Sequence, residues 1–167
     1  MDENAPDVRD AGLDADDETE LAATVLHASR GLLGVIARSV AEALDEVSLP
    51  QLRALVLLCS AGPMRQGAVA ERLGVHSSTF SRNADRLVAG GWVRRAEDPA
   101  RRHGVLLVAT QEGRALVERV SVRRRDAIAE VLRRVPSTRR SAMVAALAEF
   151  TSASGEPDPR DLQTLAL

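Results

Sequence analysis

The stretch VHSSTFSRNADRLVAGGWVRR, residues 75–95, limits the fold more than any other part of the chain. Phe80, Ala84, Leu87 and Val88 recur at helical spacing, two glycines close the helix, and a β-rich run opens at Trp92. At about 100° per residue, Ser78, Arg82, Asp85 and Ala89 fall opposite Phe80. Thr79 and Arg86 lie along one flank and Ser81 along the other. This polar side carries small hydroxyls and arginine in place of the Glu/Lys mixture of a solvated face. Short hydroxyls let a helix approach a nucleic-acid groove closely, and Arg82 can reach past them to a base edge. The bland alternative is a solvent-facing helix, in which Ser and Thr are poor but tolerated choices.

The flanking sequence supplies the rest of a helix-turn-helix. SLPQLRALVLLCSAGP starts with Ser48 as a cap and Pro50 in the first turn, and stops at Gly62-Pro63. QGAVAERLG gives a short helix with Val69, Ala70 and Leu73 inward and Gly74 as its stop. Ser77 is the candidate cap of the helix that follows. Beyond Gly91, WVRR and VLLVAT read as strands joined through AEDPARRHG, a hairpin loop whose tip holds Arg101, Arg102 and His103. Guanidinium groups at such a tip suit a minor groove or a phosphate, whereas the bland reading is a charged, solvated turn.

Long helices are expected on both sides. Between Glu18 and Val47 two apolar stripes run together: Leu26, Leu33, Val40 and Val47, beside Leu21, Val25, Leu32 and Ile36. A helix apolar on more than one side needs cover on more than one side, which suggests a partner subunit. Two further helices are expected over residues 111–135 and 137–152. In the last, Met143, Val144, Leu147 and Phe150 form a stripe that suits a dimer core better than an effector pocket. Arg123, Arg124 and Arg125 read as a solvated face. The expected fold class is mainly α: a winged helix-turn-helix with flanking N- and C-terminal dimerisation helices. The expected divisions are an acidic disordered tail (1–17), a body (18–152) and a C-terminal tail (153–167). Within the body, 48–110 forms the DNA-binding lobe, and 18–47 and 111–152 form the dimerisation helices.

Charge and composition agree with that organisation. An aromatic share of 2% leaves the core to Ala, Leu and Val, which favours helix over sheet. The net charge of −2 hides an asymmetry, since residues 1–20 hold nine acids against one Arg. From Ser48 to Thr110 there are nine Arg against four acids, about +5. Lysine is absent. Coding bias in a GC-rich genome explains most of the Arg-for-Lys replacement, but not where the arginines sit. The acidic tail could compete for the basic face and so tune DNA affinity. No apolar run approaches the roughly 20 residues that span a bilayer, and the N-terminus lacks the order of a signal peptide. A soluble, cytoplasmic protein with no membrane contact is expected.

Nothing points to an enzyme or a cofactor. AGGWV lacks the spacing of a phosphate loop, and no nucleophile, base and acid occur in a recognisable order. Cys59 sits among aliphatics, where a buried small residue is the default. His27, His76 and His103 lie in three different elements, so no metal is expected. Trp92 is expected to pack the hairpin onto the preceding helix.

In order and spacing, residues 48–114 resemble the MarR family of winged-helix transcription regulators. The resemblance rests on Leu-Pro-Gln at 49–51, Ala-x-x-Leu-Gly at 70–74, SRNADRLVAGGWVRR, Asp98-Pro99 and ATQEG. It implies a homodimer with interlocking outer helices that binds a pseudo-palindromic operator in double-stranded DNA and usually represses a nearby gene. It often implies release when a small, frequently phenolic or lipophilic effector binds between the dimer helices and the DNA-binding lobe, a crevice expected here to be lined by aliphatics. Under this reading the DNA-binding residues are Ser77, Ser78, Thr79, Ser81, Arg82, Arg86, Arg101, Arg102 and His103. Where the family wing reads Asp-Arg-Arg, this chain has Arg101, Arg102 and His103. An acid that helps brace the wing arginine is therefore replaced by a cation. Ala109 stands where a Leu is usual, a smaller core contact. The alternatives are a winged-helix module that binds proteins, or a small-molecule binder that never touches DNA.

Overall fold

Seven helices and one two-stranded antiparallel sheet account for residues 15–101 and 104–154, the part that the computed structural model describes. In order they are α1 (Ala15–Val40), α2 (Ala43–Glu46), α3 (Leu49–Ala61), α4 (Gln66–Arg72), α5 (Ser77–Ala89), β1 (Val93–Glu97), β2 (Val105–Ala109), α6 (Gln111–Arg134) and α7 (Ser137–Ala153). The chain is a mainly helical winged helix-turn-helix. It divides into two compact units between Gly34 and Val35. The expectations for the acidic tail up to residue 14, for the C-terminal tail from residue 155, and for Arg102 and His103 lie outside the described residues.

In the first unit α1 is a single helix whose Leu21, Val25, Leu26, Leu32 and Leu33 are exposed. By length and composition Asp17–Val40 is long and apolar enough to cross a bilayer, with a mean hydropathy of 1.2, contrary to the expectation that no stretch is. Arg30 lies near its middle, where a cation would cost about 2.5–3.5 kcal/mol.

The second unit holds the core. The expected helix does not continue to Val47: α1 ends at Val40 and α2 begins at Ala43. The backbone tightens there, with Ala41 N–H donating to Arg38 O at 3.4 Å and Leu44 N–H to Ala41 O at 3.1 Å. Val40, Ala43 and Val47 on either side of this turn are all buried in the core. At α3, Ser48 and Gln51 form a capping box in which the Ser48 N–H donates to Gln51 Oε1 at 2.7 Å, with Pro50 in the first turn. Leu52, Leu55, Leu57 and Leu58 of α3 meet Val69 and Ala70 of α4 and Phe80, Ala84 and Leu87 of α5 in one cluster. Each such large side chain, fully buried, is worth about 1.5–3 kcal/mol of transfer free energy.

The sheet closes over this cluster. β1 pairs with β2 in the register Val93↔Ala109 to Glu97↔Val105. Val93, Leu107 and Ala109 face inward, so alanine fills the position where the family usually places leucine. Met64 adds a short third pairing that the sequence did not suggest, donating to Leu107 O at 3.1 Å and accepting from Leu107 N–H at 2.8 Å.

One junction sets the angle between α5, the sheet and α6. Gly91, at φ 78°, ends α5 in the left-handed conformation. Its N–H bonds Val88 O, and Trp92 N–H bonds Leu87 O, both at 3.0 Å. Thr110 caps α6 by accepting from Gly113 N–H at 3.1 Å, while its hydroxyl donates to Gly91 O at 2.7 Å. The first turn of α6 thus lies directly against Trp92 O. A Cβ on Gly113 would stand 2.3 Å from that oxygen and 2.9 Å from Leu55 Cδ1. An exchange of helical Gly for Ala ordinarily stabilises by about 0.5–1 kcal/mol. Here the sign reverses: Gly113→Ala is expected to destabilise by about 1–3 kcal/mol. Urea unfolding of both proteins measures it, and a raised midpoint in the variant would contradict this packing.

Candidate nucleic-acid interface

α5 presents the surface that its sequence promised. Phe80, Ala84 and Leu87 are buried, while Ser77, Ser78, Thr79, Arg82 and Arg86 are exposed and Ser81 is half-buried. The helix begins one residue earlier than a Ser77 cap requires. His76 occupies the cap position without a capping side chain, and Ser77 is already helical. Phe80 N–H closes the first turn onto His76 O at 3.0 Å. The Ser77 hydroxyl is therefore free for solvent or a ligand instead of serving the helix.

Asp85 sits between Arg82 and Arg86 on the exposed side of α5 and accepts from Arg95 of β1 at 2.6 Å. The polar face of the helix and the outer face of the strand therefore adjoin. Both partners are open to solvent, so this pair contributes at most about 0.2–1 kcal/mol. Its main consequence is electrostatic, because one of the two acids on this helix and strand face is neutralised locally.

The wing is held differently. Arg101 is exposed beyond β1, in a turn built by Asp98. Asp98 O accepts from Arg101 N–H at 3.1 Å, its Oδ1 accepts from Ala100 N–H at 2.9 Å, and its own N–H donates to Gly104 O at 2.8 Å. Asp98 Oδ2 receives two bonds from Arg65, from Nε at 2.8 Å and from the terminal nitrogen at 2.6 Å. Its side chain is only 6% exposed, whereas that of Arg65 is 42% exposed. The Arg65 hydrogen bonds, with help from the Ala100 N–H, hold the Asp98 carboxyl below its ordinary pKa. Arg65 was not among the expected site residues. Its partner lies 33 positions away, and no local pattern marks such a pair.

A cavity of about 340 Å³ lies between α3 and α6, lined by Val56, Cys59 and Ser60 on one side and Val117, Glu118, Val120, Ser121, Arg124 and Arg125 on the other. The expectation of a purely aliphatic crevice needs correction. The reading of residues 123–125 as a solvated face holds for Arg123 and Arg125 and fails for Arg124. Arg123 pairs with Glu42, and Arg125 pairs with Glu118 at 2.8 Å. Arg124 turns inward and its Nε donates to the buried Ser39 hydroxyl at 3.3 Å. It has no acidic partner among the described residues, and burial lowers its guanidinium pKa. Cys59 is half-buried, and burial pushes its thiol up, against a smaller opposing effect of Arg114. That state disfavours a reactive thiolate. Trp92 lies partly buried against the core, its ring over Gly90, as the hairpin's attachment to α5 requires.

The sequence profile of the MarR family matches residues 46–102. No curated protein matches the chain. Among solved structures, RV1404 from Mycobacterium tuberculosis is similar at 34% identity and a TM-score of 0.76, over 87% of this chain and 98% of its own. The transcriptional regulator Tm0710 from Thermotoga maritima is similar at 27% identity and a TM-score of 0.67, over 80% and 94%. CouR from Rhodococcus jostii RHA1, solved with p-coumaroyl-CoA bound, shares 25% identity at a TM-score of 0.51, over 82% and 93%. Given its lobe, its wing and these likenesses, the chain belongs to the MarR family of winged-helix transcription regulators.

Proposed function

We propose that this regulator is a homodimer that binds a pseudo-palindromic operator sequence-specifically and represses transcription until a small effector releases it. The observation that carries DNA binding is the exposed edge of α5, with Ser77, Ser78, Thr79, Arg82 and Arg86 beside a wing that ends in Arg101. Hydroxyls and guanidinium groups at the start of such a helix suit phosphates and base edges in the major groove. The wing then reaches the adjacent minor groove, with Arg101, Arg102 and His103 as its cations. Ser81, half-buried, makes the least direct contact of the set. Such a protein works beside the chromosome, in the cytoplasm.

Dimerisation is supported by apolar surface that the single chain leaves open. On α7, Val144, Leu147 and Phe150 are 57%, 46% and 55% exposed, and none of its residues is buried. α1 shows the same kind of surface, with Leu26 and Leu33 at 58% and 62%. Exposed apolar stripes at helical spacing call for another helix. The effector reading rests on the cavity between α3 and α6. Its valines suit a lipophilic or phenolic body, and Arg124 suits a negative end. CouR, a similar protein, holds p-coumaroyl-CoA.

Two outcomes are expected. Operator fragments selected from random duplexes should carry half-sites about 10 bp apart, and Arg82→Ala should weaken binding to them by about 1–3 kcal/mol with relaxed base preference. Titration by fluorescence anisotropy at fixed salt measures both. Undiminished, equally selective binding by the variant would remove Arg82 from the groove. Binding that ignores salt would instead favour a protein-interaction surface, because phosphate contacts weaken steeply as salt rises. In sedimentation equilibrium the chain should weigh twice its 17.9 kDa, and Leu147→Arg should shift it toward the monomer. A wild-type monomer would exclude the two-fold arrangement.

A further inference from the structure

Asp98 is the buried acid of the wing, and among the described residues Arg65 and Arg101 are near it. Arg65 fills one carboxylate oxygen with two hydrogen bonds, while the other oxygen is taken by Ala100 N–H. Arg101, three residues along the same turn, is close enough for its charge to act on that carboxylate, yet its side chain makes no hydrogen bond or ion pair with it. The charge of the acid is thus matched by a residue from the start of α4, and Arg101 is left unpaired among the described residues. A carboxylate this enclosed does not stay without a cation, since a charge removed from water is costly unless paired.

We propose that Arg65 is a positioning residue for DNA binding: by occupying Asp98 it keeps Arg101 free for the phosphate backbone. This rests on the reading of α5 and the wing as the DNA-binding surface. Three features support the arrangement. Arg65 stands at the cap position of α4, and the preceding Met64 is pinned to β2 by two backbone bonds, so the guanidinium is delivered from a fixed point. Asp98 builds the turn through its backbone and Oδ1, so Arg65 is not needed to form the turn itself. Gly104 gives the closeness of the wing: a Cβ there would stand 2.7 Å from Asp98 Cβ and 3.1 Å from Arg101 Cβ. In so tight a loop, an unpaired Asp98 and Arg101 have little distance to cover. Without Arg65, the acid takes Arg101, and the DNA loses one cation per subunit.

The test compares four forms of the full-length chain on a mixed-sequence 30-bp duplex across a salt series. Arg65→Ala should weaken binding about tenfold, the scale of one lost charge-assisted contact, and reduce the salt slope by about one phosphate per subunit. Arg65→Ala with Asp98→Asn should recover most of both, because an amide keeps the turn's acceptor but cannot capture Arg101. Asp98→Asn alone should bind at least as well as wild type. If the double variant stays as weak as Arg65→Ala, Arg65 acts by touching DNA or by bracing the fold, and the proposal is overturned. It is equally overturned if Asp98→Asn alone loses affinity, a result that does not need the Arg65→Ala protein to fold. Wild-type protein that fails to bind the duplex at low salt would overturn the DNA-binding reading itself, and this proposal with it.

Discussion

The architecture turns on one close approach, that of the first turn of α6 to the carbonyl of Trp92. Thr110 is shared by both sides of it. Its N–H bonds Trp92 O at 3.1 Å, its hydroxyl bonds Gly91 O, and the same hydroxyl caps α6 through Gly113. The end of α5, the root of the hairpin and the start of α6 are therefore fixed together by Gly91, Thr110 and Gly113. The angle at which β1 leaves α5 follows from this junction, and so does the place where Arg101 can stand. A wing attached only by its strand pairing would be free to swing with the twist of a two-stranded ribbon, which is marginally stable alone. The Met64 bridge to Leu107 and the Arg65 bonds to Asp98 fasten its other edge.

Local chemistry was legible in the sequence wherever it acts over a few residues. The capping box at Ser48, the Gly90-Gly91 ending, the hairpin and the buried set Phe80, Ala84 and Leu87 all follow from periodicity and turn residues, and each stands as expected. The failures have a different cause in each case. Serine at 77 reads as a cap because serine is a good one, but the first turn closes from Phe80 N–H onto His76 O, one residue earlier. The first helix seemed to run to Val47 because its stripes continue in sequence. The turn at Ala41 and Glu42 breaks the helix although Val40, Ala43 and Val47 keep its spacing, so no periodic signal marks the break. Arg65 and Asp98, and Arg124 and Ser39, were invisible because their partners are 33 and 85 residues apart.

The arginines that the sequence grouped by type are separated by the structure according to what they meet. Arg95, Arg123 and Arg125 are balanced by Asp85, Glu42 and Glu118, and in solvent such pairs contribute little beyond local neutrality. Arg65 is spent on an enclosed acid. Arg124 is half-buried at a cavity wall with a hydroxyl in place of an acid. Arg82, Arg86 and Arg101 are exposed, and no acid within the described residues is bonded to any of them. A basic surface of this kind is defined less by the number of cations than by which cations the fold leaves unmatched. The excess of about +5 between Ser48 and Thr110 thus overstates how much charge is available to a polyanion.

The cavity and the proposed DNA-binding surface share α3, and this decides how a ligand could act. α3 lines the cavity with Val56, Cys59 and Ser60, and it also packs against α5 and β2. A ligand in the cavity never touches α5, so it can alter DNA binding only by favouring one placement of α3 against α6 over another. The magnitude is bounded by its differential affinity for the two placements, since tight binding to both would shift nothing. Arg124 supplies such a difference. Its guanidinium now leans on Ser39 near the end of α1, and an anion that drew it into the cavity would take away that contact and leave the Ser39 hydroxyl to its bond with Ile36 O. The change would be felt where α1 gives way to α2. Under the proposed function, coupling of the two sites would need no long pathway: α3, which borders both, is sufficient if its two placements differ by a few kcal/mol at most.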